Sequence, residues 1–113
     1  CKTKGVTPVL MTMASRVKDI PDEIILKAVK LLKVDLTYQE FKELFDSINE
    51  TIRSKAHENG IPVIDLARQI PQDRDHLYDM VHLTDKGCQR AAEIISSNLS
   101  TLLSNKNLTV TWH

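Results

Sequence analysis

Asp79 and His82 stand three residues apart in the stretch Tyr78-Asp79-Met80-Val81-His82-Leu83-Thr84-Asp85-Lys86-Gly87. That spacing lets both side chains face one pocket. A carboxylate that accepts the imidazole's Nδ1 proton fixes the tautomer and leaves Nε2 free as a general base. Thr84 reads as the N-cap of the helix that follows, with Asp85 favourably placed in its first turn. The pair therefore belongs on a loop pinned by a helix end, where its geometry can be held. On their own, the four residues leave metal ligation and a plain surface pair open.

Few other residues compete for a chemical role. Ser15 and Arg16 follow a short apolar run and fall at the edge where an open α/β sheet carries its ligand crevice. Ser15 is a candidate nucleophile for His82, but no glycines flank it as in a nucleophile turn, and a loop role is the plainer reading. Arg16 is a weak candidate for binding a substrate carboxylate. Tyr78 is expected to pack beside the Asp-His pair and hold the loop, and with Ser15 and Arg16 it is a candidate for binding substrate. Asp73, Asp75, His76, Asp79 and His82 offer oxygens and imidazoles to a divalent ion, yet their spacing matches no closed zinc pattern. His57, in the last turn of a helix, reads as structural.

The elements that must position these residues follow from patterning. Residues 1–6 are a polar lead-in. Thr7–Met13 and Ile61–Leu66 are short apolar runs, suited to buried parallel strands. Between them lie two helical patterns. The first runs from Asp22 to Lys33, with Ile25, Ala28, Val29 and Leu32 on one face and Lys27, Lys30 and Lys33 on the other. The second opens with a capping box, Thr37 and Glu40, and ends at Asn59-Gly60. Its inner face is Phe41, Leu44, Phe45, Ile48, Ile52 and Ala56, while Glu43, Asp46, Glu50, Arg53 and Lys55 read as solvated. A helix between two apolar strands is a crossover, which implies parallel pairing. Asp65, at the end of the second strand, could line the pocket or cap the next turn, and capping is the expected role. Residues 67–82 form a polar loop. From Thr84 to Leu103 a helix buries Cys88, Ala91, Ala92, Ile95, Leu99 and Leu102. Gly87 in its first turn implies close packing against a strand or the site loop. Residues 107–113 read as an edge strand or a frayed tail.

The series Ile61-Pro62-Val63-Ile64-Asp65-Leu66, a polar loop, Tyr78-Asp79-x-x-His82-Leu83-Thr84, x-x-Gly87 and an apolar helix resembles the last block of the SGNH (GDSL) hydrolases. The resemblance runs from about residue 6 to about residue 103 and is strongest over 60–95. It implies a three-layer α/β/α fold with a flavodoxin-like parallel sheet, of which residues 1–113 are the C-terminal portion. It also implies a serine esterase in which Asp79 is the orienter and His82 the base of a Ser-His-Asp triad. That family's Gly-Asp-Ser nucleophile motif and its Gly-x-Asn-Asp oxyanion motif are both missing from this sequence. The implied substrates are acetyl or short-chain esters of carbohydrates, lipids or small molecules, with no metal or organic cofactor. A non-catalytic α/β module, or a degenerate hydrolase acting through its surface, is the alternative.

Composition narrows the rest. At 113 residues and 42% hydrophobic, the chain is at most one small domain with enough apolar content for a core. Lys+Arg and Asp+Glu number 15 each, so no net field draws nucleic acid or an anionic membrane. No apolar run reaches the ~18 residues of a membrane span, and no signal peptide opens the sequence. A first residue of Cys1 points to an excerpt or a processed product. Cys1 and Cys88 make no disulfide framework, which leans the compartment towards a reducing, cytoplasmic one. The Asn-x-Ser/Thr triplets at Asn49, Asn98 and Asn107 are not read as glycosylation sites, Asn49 and Asn98 falling within helical patterns. Two strands are too few for a covered sheet, so a partner is expected: the rest of the domain, a second copy or another subunit.

Overall fold

Both apolar runs form strands, but only four residues of them enter the ladder. The computed structural model describes residues 1–105. A 3-10 turn at Lys2–Lys4 leads into β1 (Leu10–Met11), α1 (Glu23–Leu31), α2 (Tyr38–Glu58), β2 (Val63–Ile64), α3 (Leu66–Gln69) and α4 (Asp85–Asn105). β1 and β2 pair in parallel, Leu10 opposite Val63 and Met11 opposite Ile64. The parallel pairing is the one the α2 crossover requires.

The three-layer α/β/α sheet is not what this chain forms. The molecule is mostly helical, 55%, around a two-stranded sheet. Each strand is cut short for a local reason. Pro8 has no N–H to give a ladder. At the other end of the run Thr12 still donates to the Ile64 carbonyl at 3.1 Å, while on the edge of β1 that faces away from β2 the Asn49 side chain of α2 takes the backbone of Met13, accepting its amide at 2.8 Å and donating to its carbonyl at 3.0 Å. β2 stops because Leu66 already opens α3.

α2 starts as its sequence requires. Thr37 Oγ1 accepts the Glu40 amide at 3.2 Å, and Glu40 Oε2 accepts the Thr37 amide at 2.7 Å, so two otherwise orphaned helix donors are satisfied reciprocally. Its inner face differs from the apolar stripe. Phe41, Asn49 and Ala56 are buried, whereas Leu44 and Ile48 are exposed, because Asn49 must face β1 to hold Met13. Arg53 is not merely solvated either: its guanidinium bonds both Asp65 oxygens, at 2.8 and 2.9 Å. Asp65 also accepts the Thr12 hydroxyl at 2.8 Å and makes no side-chain cap to α3.

α4 is rotated from the face its hydrophobic residues suggest. Gly87, Ala91 and Ile94 are its buried residues, with Ile95 and Leu102 partly covered, while Cys88, Ala92 and Leu99 are exposed. Gly87 sets the rotation. A Cβ there would lie 2.0 Å from the His76 carbonyl oxygen, so only glycine lets the helix approach the loop this closely.

The core is two small clusters. Ile64, Leu66, Ile70, Leu77, Ala91 and Ile94 form one, with Val9, Ala14, Leu83 and Ile95 against it. Val17, Ile25, Val29 and Phe41 form the other, with Tyr38, Phe45 and Met80 against it. No described helix is long and apolar enough to cross a membrane. Residues 107–113, read above as an edge strand or tail, lie outside the described residues.

Candidate active site

The loop that carries Asp79 and His82 is built from its two ends inward. Leu77 and Leu83 form an isolated antiparallel bridge, and both pack into the first cluster. Inside the bridge the Tyr78 amide donates to the His82 carbonyl at 3.0 Å. Asp79 then closes the tip. Its Oδ1 accepts the amides of Val81, at 2.9 Å, and His82, at 2.8 Å, which is the local turn a short carboxylate side chain favours.

The other carboxylate oxygen does the chemistry-bearing work. Asp79 Oδ2 lies 2.7 Å from His82 Nδ1. That contact places the ring proton on Nδ1 and leaves Nε2 as the acceptor. The His82 ring is 64% exposed and the Asp79 side chain 44%, so Nε2 is open to a reacting group. Tyr78 stacks on the imidazole with centroids 5.7 Å apart and planes 17° from parallel, restraining its rotation. Burial pushes the Asp79 carboxyl up, but the Val81 and His82 amides, the His82 ring bond and its charge together hold it below the usual carboxylate range.

α4 pins the loop from behind. Thr84 Oγ1 accepts the Gly87 amide at 3.0 Å and donates to the Asp75 carbonyl, while the Thr84 amide donates to His76 at 3.0 Å. Arg16, in the segment between β1 and α1, pins it from the front. Arg16 is buried, its amide donates to the Met80 carbonyl at 2.8 Å, and its Nη1 donates to the Leu77 carbonyl at 3.1 Å. Its Nε donates to Asp22 at 2.6 Å, a bond that holds the Asp22 carboxyl below its usual range. Arg16 is therefore a clamp on the site loop, its guanidinium already committed, and not a ready receptor for a substrate carboxylate.

Ser15 makes no hydrogen bond to His82 among the described residues. It is nearly buried, its carbonyl accepts the Gln72 amide at 2.8 Å, and it lines a cavity of about 400 Å³ with Asn49, Glu50, Arg53, Arg68 and Gln72. Neither Asp79 nor His82 borders that space.

Sequence reasoning passed over a second pair of the same form. Asp73 and His76 are also three residues apart, and His76 Nδ1 lies 2.7 Å from Asp73 Oδ1. The same oxygen accepts the His76 amide at 3.0 Å. Here the ring is only 12% exposed, against Lys86, Gln89, Arg90 and Glu93. The repeated spacing was visible in the residues; the difference in exposure was not. With each imidazole engaged by its own aspartate, the five residues weighed as a metal set do not converge. Among the described residues no three His, Cys, Asp or Glu side chains are grouped to hold an ion.

No protein-family model matches the chain, and comparisons with curated proteins and with solved structures find no match, so the site stands on its own geometry.

Proposed function

We propose that this chain supplies the acid-base half of a serine ester hydrolase, with Asp79 as orienter and His82 as general base. The observation that carries the reading is the 2.7 Å bond from His82 Nδ1 to Asp79 on an open loop, with the ring largely exposed. A serine from outside these residues attacks the ester carbonyl and its Oγ proton passes to His82 Nε2. As the carbon–oxygen ester bond breaks, the same proton goes to the departing alcohol. Water repeats the cycle and frees the acyl group. Asp79 stabilises the imidazolium throughout, and backbone donors outside this chain hold the oxyanion. Esters of small acyl groups are the substrate class.

A second reading has its own support. Asp73 and His76 repeat the arrangement with a ring that is nearly covered, so the same four-residue unit also serves as a turn lock. On that reading the chain is a non-catalytic module.

The two part cleanly in a kinetic comparison. In the full natural gene product, hydrolysis of 4-nitrophenyl acetate is measured for wild type, His82→Ala, Asp79→Asn and His76→Ala. Catalysis predicts a loss of about 10⁴ in kcat for the first two variants and little change for His76→Ala. Equal kcat/KM in wild type and His82→Ala would end the hydrolase reading. The 113-residue chain alone is expected to turn over no ester and to take no label from a fluorophosphonate.

A further inference from the structure

The cavity beside Ser15, about 400 Å³ in volume, is large enough for a small molecule and has no part in the His82 loop. Asp46, Asn49, Glu50 and Arg53 stand at the i, i+3, i+4 and i+7 positions of α2 and so share the face that walls it. Its inner groups are already fixed. Asn49 is tied at both ends of its side-chain amide to Met13, and Arg53 bonds both Asp65 oxygens. Gln72 Nε2 donates to the carbonyls of Ser15 and Val17, at 2.8 and 3.0 Å. An occupant meets a wall that does not have to be ordered first.

Ser15 supplies the group that lacks a partner. The residue is 8% exposed, and its hydroxyl makes no hydrogen bond among the described residues. No buried side-chain nitrogen or oxygen among them is sealed from solvent without a partner. The hydroxyl therefore meets open space, and the space that Ser15 borders is this cavity. Two more groups have capacity to spare. Arg53 uses three of its N–H groups, out of five, and the Gln72 side-chain carbonyl accepts nothing among the described residues.

The charges around the cavity balance, which selects its occupant. Arg53 and Arg68 stand against Asp46 and Glu50, and behind them Asp65 pairs with Arg53 and Lys42 with Asp46. An anion would meet two carboxylates, and a cation two guanidinium groups. An apolar molecule would take water from four charges and bond none of them; Ala67 is the single apolar residue on the wall. A neutral molecule dense in hydroxyls fits instead. Each hydroxyl both donates and accepts, so adjacent pairs bond the two oxygens of a carboxylate and the fork of a guanidinium alike.

We propose that the cavity between α2 and α3 binds a neutral cyclic polyol, a monosaccharide or an inositol. Ser15 Oγ and the Gln72 carbonyl hold its inner hydroxyls, and Arg53, Glu50 and Arg68 hold the outer ones. The site stands whether or not His82 is a base.

Saturation-transfer NMR on the full natural gene product tests it, with myo-inositol and D-glucose as ligands and cyclohexanol as the single-hydroxyl analogue. At least one polyol is expected to bind with a Kd on the order of 1 mM, and cyclohexanol at least about tenfold more weakly. Ser15→Ala removes only an unbonded hydroxyl and should raise the polyol Kd about tenfold with an unchanged thermal melt. Glu50→Gln alters an exposed side chain; it should weaken the polyol severalfold and let inorganic phosphate compete, because the wall is then net positive. No saturable binding of either polyol below about 50 mM, or equal binding by Ser15→Ala, overturns the proposal. So does phosphate that displaces the polyol from wild type, since the space is then an anion site. Polyol binding lost in His82→Ala overturns it too, since the ligand then sits on the other loop.

Discussion

His82 and Arg16 serve the same loop and should respond oppositely to mutation. The His82 ring is largely in water, so His82→Ala should change stability by no more than about 0.5 kcal/mol in a urea titration. Arg16 is buried and holds the Leu77 carbonyl and Asp22. Arg16→Met takes the guanidinium from the Leu77 carbonyl and leaves Asp22 with only Lys18, and should cost about 2–3 kcal/mol in the same titration. The contrast also explains what the residues disclosed beforehand. Asp79 and His82 are three apart, and a turn of that length is decided locally, so their hydrogen bond was legible. The role of Arg16 was not, because its partners stand 6 and 61 positions away. The surroundings of Ser15 were illegible for a related reason: where a loop residue faces depends on Gln72 and α2, which no local pattern encodes.

At the level of elements, helix ends proved readable and helix rotations did not. The Thr37–Glu40 box was plain because its four residues complete each other. The face of α4 was obscured because a carbonyl from a distant loop fixes it through Gly87. Gly87→Ala should therefore run against helix propensity. Alanine favours a helix by about 1 kcal/mol, but its methyl group meets backbone that cannot rotate away, and a net loss of about 1–3 kcal/mol is expected from denaturant midpoints. The same displacement should broaden the backbone amide resonances of Tyr78 to Thr84. Strand extent was the other illegible quantity. Apolar runs announced two strands, but β2 gives way to α3 at Leu66, and the side-chain amide of Asn49, reading as one more polar position in a helix, covers the free edge of β1 at Met13. The three-layer expectation fell because only two strands pair.

The whole molecule is held together by few groups, and several are carboxylates. Asp22 bonded by Arg16, Asp65 bonded by Arg53, and Asp79 held by two amides all have folded pKa values below their usual range. A depressed folded pKa means that the native state binds protons less readily than the unfolded chain. The stabilisation is complete above the ordinary carboxylate range and drains away as pH falls. Stability should thus be nearly flat from pH 8 to 5 and decline between about pH 5 and pH 2 in urea titrations. In Arg16→Met the decline should be shallower, because Asp22 has lost the partner that depresses it.

The loop that bears His82 also touches both halves of the core. Leu77 and Leu83 are rooted in one cluster and Met80 in the other, so the loop keeps its place, though not its locally made turn, only while the two are seated together. The imidazole lies in the ring current of Tyr78, and its proton resonances are thereby an internal gauge of that seating. Whatever draws the halves apart, whether heat or acid, should register first as a drift of the His82 ring signals towards their free-solution positions.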